Sequence, residues 1–414
     1  MEKIIYLLIF ILPYRMVDLI NINTFSFKLA DFITILVFIY FSMRIMSLKD
    51  KYIKFNDIDV MILFYILYSL FNTLVAQDRV LAYADFYRLV IAILPYFIIV
   101  DIFRRINIEK VYKLYCNMFK IWIFNTYISA IYSIYIFWAY GIKEFYAFGV
   151  LAINSFNFRF RAFYPDPNLF AIYLVISIIF TIHLYKHKEI SKRIFILTMM
   201  ITISSLIFTF SRSGILMFLI YILIYAKKDF KTKKILLYIL IFFVVSIFIV
   251  SFNQNVRSMI LNRVNNTINM NYKKDEAIGS RLLYYKTAIV EFENNPVIGV
   301  GRGNFLNQGN KYYYLPDNAN PQNLFLQVIS ELGIVGLIIL VLIIFRIFIK
   351  YFKYRKVRLT DIHNLLYHIL IIYLFSALFG TFDTTKELWY ILAFINSSIC
   401  YLKRLSNNKF EASH

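Results

Sequence analysis

Residues 322–345 read "QNLFLQVISELGIVGLIILVLIIF", and Glu331 is the one charged residue in this stretch. About 20 consecutive apolar residues are the length that an α-helix needs to cross a hydrocarbon core about 30 Å thick. Similar stretches recur along the chain of 414 residues, of which 60% are hydrophobic. Because they are continuously apolar rather than alternating, they predict helices and exclude a β-barrel. We therefore expect an all-α, polytopic membrane protein with one integral membrane domain over residues 1–414.

The charged breaks between the apolar stretches predict the topology. Twelve membrane-spanning helices are expected near 4–22, 28–46, 57–76, 80–102, 116–140, 167–185, 193–210, 213–226, 235–252, 322–345, 364–380 and 386–402. The short connections after every second span are basic, as in "KHKEISKR" at 186–193 and "KKDFKTKK" at 227–234. Short loops rich in Lys and Arg stay in the cytoplasm. Both chain termini are therefore expected on the cytoplasmic side.

Two longer connections, at 141–166 and 253–321, are expected on the extracytoplasmic face. The second joins spans 9 and 10 and is basic, in a chain with a formal net charge of +21. In a soluble protein this charge would suggest nucleic acid, but here topology and an anionic substrate explain it better. The basic loop is either an ordinary solvated loop or an anion site that faces outward.

Arginines lie near two of the expected extracytoplasmic span ends. "FRFRAFYPDPNLFAIYL" at 158–174 carries Arg159 and Arg161 ahead of span 6, where Asn168 is a candidate helix cap. "FTFSRSGIL" at 208–216 carries Arg212 in a tight turn. Each arginine has an ordinary alternative explanation, because long basic side chains near membrane ends often extend to the lipid head groups.

A further segment, "GSRLLYYKTAIVEFENNPVIGVGRGNF" at 279–305, begins near Arg281. Its apolar residues recur at helical spacing, which predicts an amphipathic helix within the loop 253–321. Its last seven residues, "GVGRGNF" at 299–305, form what we call the glycine segment. They follow "NNP" rather than a strand and contain no Gly-Lys-Ser/Thr, so they do not resemble a nucleotide-binding loop. Spaced glycines indicate a backbone that needs positive φ or a close approach.

Ionisable residues also occur inside predicted spans. Glu331 lies within span 10, where an ionisable group is expensive and usually faces a cavity or a partner. Asp85 and Arg88 lie three residues apart on one face of span 4 and form either a structural pair or a substrate contact. On the predicted outer face no His, Cys, Asp or Glu cluster has metal-ligand spacing. An outward anion site would therefore use arginine, whose planar fork suits phosphate oxygens.

In chain order, "RAFYPDPNLFAIYL", "SRSG", "SRLLYYKTAIVEFENNPVIGVGRGNF" and "QNLFLQVISELGIVGL" resemble the O-antigen ligase and Wzy-type polymerase superfamily of bacterial envelope enzymes. The resemblance covers residues from about 158 to 340. It implies an all-helical, GT-C-like fold and a multi-pass protein of the bacterial cytoplasmic (inner) membrane. It further implies glycan transfer from an undecaprenyl diphosphate carrier on the extracytoplasmic face, with no metal and no cofactor.

The resemblance also implies roles for residues. Arg161 and Arg281 match the two arginines that bind the diphosphate and stabilise its growing negative charge. The glycine segment, with Gly301, Arg302 and Gly303, matches the loop that closes over the site. Further substrate contacts are expected from Arg88, Arg159, Arg212, Gln322 and Asn323.

One position departs from the ligase pattern. Ligases carry a His-Asn pair before the helix that begins span 10, and that histidine is the proposed general base. This chain has Gln322 and Asn323 instead, and glutamine cannot take a proton near neutral pH. The departure favours the polymerase branch, in which the acceptor is a sugar hydroxyl of a second lipid-linked oligosaccharide. Asp166 and Asp317 are candidate bases.

Alternatives stay open at this point. An O-antigen ligase would transfer the glycan to another acceptor, and a transporter or flippase would also have about twelve spans. A purely scaffolding membrane protein is a third possibility. If the chain is a polymerase, its expected partners are the lipid bilayer, the undecaprenyl-diphosphate-linked oligosaccharide, a chain-length regulator and a flippase, and no nucleic acid.

Overall fold

The computed structural model describes residues 1–22, 25–47, 55–140, 149–154, 157–225, 276–316, 319–354, 360–380 and 384–411. These residues are mostly helical. The helices are α1 (Glu2–Ile11), α2 (Leu29–Met46), α3 (Asp57–Val75), α4 (Arg79–Arg105), α5 (Ile108–Tyr140), α6 (Pro167–Lys186), α7 (Lys192–Phe208), α8 (Arg212–Tyr225), α9 (Glu276–Asn294), α10 (Phe305–Gly309), α11 (Leu324–Tyr354), α12 (Thr360–Ser376) and α13 (Lys386–Glu411). A short 3₁₀ helix, Ala377–Phe379, follows α12.

Two antiparallel hairpins interrupt the helices. Strands β1 (Asp18–Ile22) and β2 (Phe25–Lys28) form the first, and β3 (Gly149–Asn154) and β4 (Asn157–Ala162) form the second. In the second hairpin Leu151 pairs with Arg159 and Val150 pairs with Phe160. The second hairpin belongs to the connection 141–166, for which the sequence predicted no regular structure.

The chain folds into two compact units. The first contains Met1–Leu8, Asp18–Tyr112 and Ala277–His414, and the second contains Ile9–Val17 and Lys113–Glu276. In the first unit, α3 and α13 both pack against α4, and α11 packs against α3. In the second unit, α6 packs against α7, α8 and β4.

Six of the described helices are long and apolar enough to cross a membrane: Leu29–Met46, Asp57–Val75, Arg79–Arg105, Pro167–Lys186, Leu324–Tyr354 and Asp361–Phe379. The helices agree with the predicted spans to within a few residues at most ends, because the apolar stretches and their charged ends set the helix limits. The count of twelve spans is not confirmed. Predicted span 9 and most of the loop that follows it lie outside the described residues.

The prediction of a first span over 4–22 was wrong. Helix α1 ends at Ile11, two residues before Pro13, and the chain continues into β1. Proline disfavours helical backbone at the residue before it and lacks an N–H group of its own. Beyond the proline, the backbone N–H of Arg15 donates to the carbonyl oxygen of Phe163 at 3.3 Å.

A buried polar network ties α3, α4 and α13 together. The carboxylate of Asp59 forms an ion pair with Arg104 and accepts hydrogen bonds from Tyr96 Oη (2.7 Å) and Asn396 Nδ2 (2.9 Å). Asp59 also takes part in the capping box of α3, in which its backbone N–H donates to Asn56 Oδ1. A buried carboxylate is tolerable only when it is paired and hydrogen-bonded in this way, so the network fixes how the three helices pack.

Candidate functional site

In the second unit, hairpin strand β4 presents two arginines. Arg159 and Arg161 alternate with Phe160, whose ring packs on Phe208 with centroids 5.1 Å apart. Arg159 donates from Nε to the carbonyl oxygen of Thr209 at 2.8 Å. Arg161 is 8% exposed and has an Nη1 contact of 3.5 Å with the carbonyl oxygen of Pro165. Arg159 thus fastens the hairpin to the end of α7.

The start of α6 differs in one detail from the prediction. Asp166, not Asn168, is the N-cap: its Oδ1 accepts a hydrogen bond from the backbone N–H of Asn168 at 2.5 Å, and Pro167 occupies the first helical position. The side chain of Asn168 instead connects the hairpin to the start of α8. Its Oδ1 accepts hydrogen bonds from Arg159 Nη2 (3.0 Å) and Ser211 Oγ (2.8 Å). Aspartate before proline is a favoured helix start, because proline needs no partner for an N–H group.

In the first unit, the glycine segment docks on a break in α11. The helix is interrupted at Gly333, whose φ of 66° and ψ of −169° are not helical. A break leaves the carbonyl groups of the preceding turn without their usual helical partners. The N–H groups of Val300 and Gly301 replace these partners. They donate to the carbonyl oxygens of Ser330 at 2.9 Å and Glu331 at 3.0 Å.

This contact requires glycine on both sides. Gly299 has a φ of +77°, and a Cβ built on it would lie 2.5 Å from the carbonyl group of Glu331. A Cβ on Gly333 would lie 2.2 Å from the carbonyl oxygen of Val297. The glycines therefore permit the close approach of two backbones, as the sequence predicted for the segment.

Helix α3 completes the hydrogen bonds at the break. Tyr68 donates from its hydroxyl to the carbonyl oxygen of Leu332 at 2.7 Å. Asn72 donates from Nδ2 to the carbonyl oxygen of Ile298 at 2.8 Å, and its Oδ1 accepts from the backbone N–H of Arg302 at 2.8 Å. A single amide side chain thus bridges the residue before the glycine segment and Arg302 in the middle of it.

Arg302 anchors the same segment to α4. Its guanidinium donates to Asp85 Oδ2 from Nε at 3.0 Å and forms an ion pair with the same oxygen through Nη2 at 2.9 Å. Arg302 has 0% of its surface exposed. A Cβ on Gly303 would approach the Cβ of Asp85 to 3.1 Å. The guanidinium of Arg302 therefore contacts Asp85 rather than solvent. Arg302 is not part of the substrate site proposed below.

Arg281 has different surroundings. It lies partly exposed on α9 and donates from Nε to Gln322 Oε1 at 2.6 Å. A neutral amide therefore accepts from Arg281, and no carboxylate among the described residues pairs with its guanidinium. Gln322 itself is fixed by a left-handed backbone with φ of 45° and by a bond from its N–H to Asn320 Oδ1 at 3.0 Å. The structure therefore brings together two of the predicted site residues.

Asn323 joins this region to the 3₁₀ helix. Its Oδ1 caps α11 by accepting from the N–H groups of Phe325 (2.9 Å) and Leu326 (3.1 Å). Its Nδ2 donates to the carbonyl oxygen of Leu378 at 3.3 Å, which also accepts from the hydroxyl of Tyr285 at 3.3 Å. Tyr285 lies one turn after Arg281 on α9, so the two side chains lie on the same face of that helix.

Glu291 was not among the residues singled out from the sequence, whereas Glu331 was. Glu291 lies on the buried face of α9 and is 0% exposed. Burial, with a further contribution from the charge of Glu331, raises the pKa of Glu291 to about 9. A carboxylate within an otherwise apolar helical face is the sequence signal that would have identified it.

The remaining predicted residues lie as follows. Arg88 and Arg212 are exposed on α4 and at the start of α8, and Gly301 packs against Ala76. Asp317 lies outside the described residues. The predicted amphipathic helix of the loop is present as α9, and its exposed face includes Leu282 and Ile289.

The apolar helices and the arginine-bearing segments beside them define a multi-pass membrane protein with polar elements between its helices. Residues 197–341 match the model of a family described as O-antigen ligase. The matched range includes α9, the glycine segment and the break in α11. No match to the chain was found among curated proteins.

Proposed function

We propose that the protein is a polysaccharide polymerase. It would join oligosaccharide repeat units carried on undecaprenyl diphosphate, on the extracytoplasmic face of the bacterial cytoplasmic membrane. The match to the O-antigen ligase family supports a glycan-transferring membrane enzyme, and it supports the ligase branch as well as the polymerase branch.

The environment of Arg281 carries the proposal. A fully buried arginine is seldom tolerated unless it is paired, as Arg302 is with Asp85. Arg281 instead has a neutral acceptor at Nε, and within the described part of the chain its two terminal nitrogens have no acceptor, so we assign them to another ligand. The terminal guanidinium nitrogens of arginine can bind two phosphate oxygens at once, as a bidentate pair of hydrogen bonds. A diphosphate is therefore the ligand that this arrangement suits.

In the proposed reaction, a hydroxyl of the acceptor sugar attacks the anomeric carbon of the donor. The bond between that carbon and the diphosphate oxygen breaks, and its electron pair leaves with the diphosphate. Arg281 stabilises the negative charge that grows on this leaving group. The resemblance assigns the same role to Arg161, and we retain it on that ground. The proton of the attacking hydroxyl passes to a base, for which Asp166 and Asp317 stay the candidates.

Gln322 favours the polymerase branch over the ligase branch. A histidine at this position would offer a base, whereas the amide of Gln322 accepts a hydrogen bond from Arg281 and takes no proton. A diphosphate is already a good leaving group. General base catalysis, typically worth about 10²–10⁴-fold, is therefore less necessary here.

Reconstituted protein given lipid-linked repeat units tests the proposal. A polymerase produces longer lipid-linked glycans and releases undecaprenyl diphosphate. A ligase leaves single units unextended until a different acceptor is added, and a flippase moves the lipid without changing it chemically. The Lys286→Ala variant, which changes an exposed cation on the same helix as Arg281, is the matched control and should retain full extension. Absence of any chain extension by folded wild-type protein would refute the polymerase assignment.

A further inference from the structure

Gln322 combines a strained backbone with a fixed side-chain amide. Its φ of 45° lies in the left-handed region, which a residue with a side chain seldom adopts. Asparagine adopts this conformation more readily than glutamine, because its shorter side chain can hydrogen-bond to the local backbone. The chain has Asn320 and Asn323 on either side, and yet Gln322 occupies the left-handed position. Strain of this kind persists where the surroundings impose it, and it is concentrated at functional sites.

The segment around Gln322 is held on both sides. The backbone N–H of Gln322 donates to Asn320 Oδ1 at 3.0 Å, and the side chain of Asn323 caps the start of α11. From this fixed backbone the side chain of Gln322 reaches Arg281 on α9, where its Oε1 accepts from Arg281 Nε at 2.6 Å. The strained residue is thus the one that joins α9 to the segment before α11.

The bond to Arg281 determines which way the amide of Gln322 faces. The Nε–H group of arginine can only donate, so the amide atom against it is the oxygen. The amide nitrogen, Nε2, keeps two N–H groups, for which no acceptor occurs within the described part of the chain. Bond lengths of about 1.2 Å for C=O and about 1.3 Å for C–N place the two amide atoms about 2.2 Å apart. With the 2.6 Å bond to Arg281, Nε2 lies within about 5 Å of Arg281 Nε.

We propose that Gln322 contacts the same diphosphate as Arg281, with Nε2 donating a hydrogen bond to an oxygen of the leaving group. The inference rests on the proposed function, and it assigns Gln322 to the donor substrate rather than to the acceptor sugar. The amide oxygen is engaged by Arg281, so only the N–H groups remain for a substrate. An attacking hydroxyl has to pass its proton to an acceptor, whereas a departing diphosphate gains negative charge and needs donors.

Binding of farnesyl diphosphate, a short-chain lipid diphosphate, to the detergent-solubilised full-length chain tests the contact by titration calorimetry. Gln322→Met keeps the length of the side chain and removes its N–H groups. It should weaken binding about tenfold, the usual effect of losing a hydrogen bond to a charged group. Gln322→Asn keeps an amide that is one methylene group too short to reach Arg281, and it should weaken binding to a similar extent. Equal binding by wild type and Gln322→Met would overturn the proposal.

Glycine substitutions separate the contact from the backbone geometry. Gln322→Gly relieves the left-handed strain and removes the amide, so it should raise the unfolding temperature while weakening diphosphate binding about tenfold. Lys188 is exposed and has a φ of 59°, so Lys188→Gly relieves similar strain outside the proposed site. The control should leave diphosphate binding unchanged. A lower unfolding temperature with unchanged binding in Gln322→Gly would show that Gln322 serves the structure only, and it would overturn the proposal.

A double-variant cycle separates a direct contact from the orientation of Arg281. If Gln322 only orients the guanidinium, Gln322→Met has no effect once Arg281→Ala has removed that group. We expect instead that Gln322→Met weakens the binding of farnesyl diphosphate several-fold further in the Arg281→Ala background. Equal binding by Arg281→Ala and the double variant would refute the direct contact.

Glycan extension separates this inference from the proposed function. Gln322→Met should lower kcat and kcat/KM for the donor together by about tenfold, because the bond strengthens as charge grows on the leaving group. If the Gln322 variants bind farnesyl diphosphate weakly while wild-type protein extends no glycans, the contact stands and the polymerase assignment fails. If wild type and Gln322→Met extend glycans at the same rate, the contact is refuted and the proposed function stands.

Discussion

Arg302 and Arg281 lie in the same compact unit of the chain, yet their surroundings are opposite. Arg302 is completely buried and forms an ion pair with Asp85, so its charge is cancelled. Arg281 is partly exposed and is held by the neutral amide of Gln322. The difference shows that a guanidinium contributes to architecture where a carboxylate meets it. Where a neutral acceptor meets the guanidinium instead, as at Arg281, we propose that an anionic ligand completes its contacts.

The largest effect on stability is expected from breaking the buried ion pair between Arg302 and Asp85. Arg302→Ala leaves the carboxylate of Asp85 buried without its cation, which should destabilise the fold by about 3–5 kcal/mol. The measurement is thermal unfolding of the purified protein. The double change Arg302→Met with Asp85→Leu should recover most of the stability, because an apolar pair of similar size needs no compensation. If the single variant unfolds like wild type, the anchoring role assigned to Arg302 is wrong.

Removing the exposed arginine should instead affect activity. Arg281→Ala should lower glycan extension by about 10²–10³-fold, the usual loss for one donor that stabilises transition-state charge. Its unfolding temperature should stay close to that of the wild type, since the guanidinium is partly solvated. Arg281→Lys should retain part of the rate, because an ammonium group keeps the positive charge but cannot form the bidentate pair of hydrogen bonds. An Arg281→Ala protein with full activity would remove the central argument for the site.

The glycine contact that supports Arg302 provides a smaller test. Gly333→Ala forces a Cβ to within 2.2 Å of the carbonyl oxygen of Val297, at a φ of +66°. The left-handed backbone alone costs about 1–3 kcal/mol for a residue with a side chain. We expect reduced stability and faster hydrogen exchange around residues 296–303. If hydrogen exchange in that segment of Gly333→Ala equals that of the wild type, the break in α11 accommodates the methyl group without strain.

The smallest change tests the neutral acceptor itself. Gln322→Glu keeps the shape of the side chain but places a carboxylate on Arg281. A charge-assisted bond is stronger than a neutral one, so the variant should be slightly more stable. It should extend glycans roughly tenfold more slowly, because about 1.4 kcal/mol of competition with the diphosphate is a factor of ten. Activity equal to that of the wild type would contradict the idea that an uncancelled charge matters.

Much of the fold was predictable because its signals are local. Helix α6 begins at Pro167, where the apolar stretch predicted it, and the ends of α2 and α3 also agree closely with prediction. The cap was assigned to the wrong residue because Asp166 and Asn168 are both good caps, and the proline between them decides which residue is helical. Span 1 failed for a similar local reason at Pro13.

The partners of the site residues were not predictable. Arg302 and Asp85 are 217 positions apart, and Arg281 and Gln322 are 41 apart. For Asp85 and Arg88, neighbours on one helical face, the sequence left a structural pair and a substrate contact open, and nothing in it indicated the contact of Asp85 with Arg302. The burial of Glu291 was missed because a glutamate on an amphipathic helix ordinarily faces water, and α10, which lies beside it, comes later in the chain.

The sequence by itself determined that this chain enters a membrane, where most of its helices begin and end, and which segments carry its arginines. These properties depend on apolar length and on charge along the chain, and both act over a few residues. Only the tertiary structure decided which arginine meets a carboxylate and which meets a neutral amide. The reason is that desolvation and ion pairing depend on distances between groups that the chain brings together from far apart.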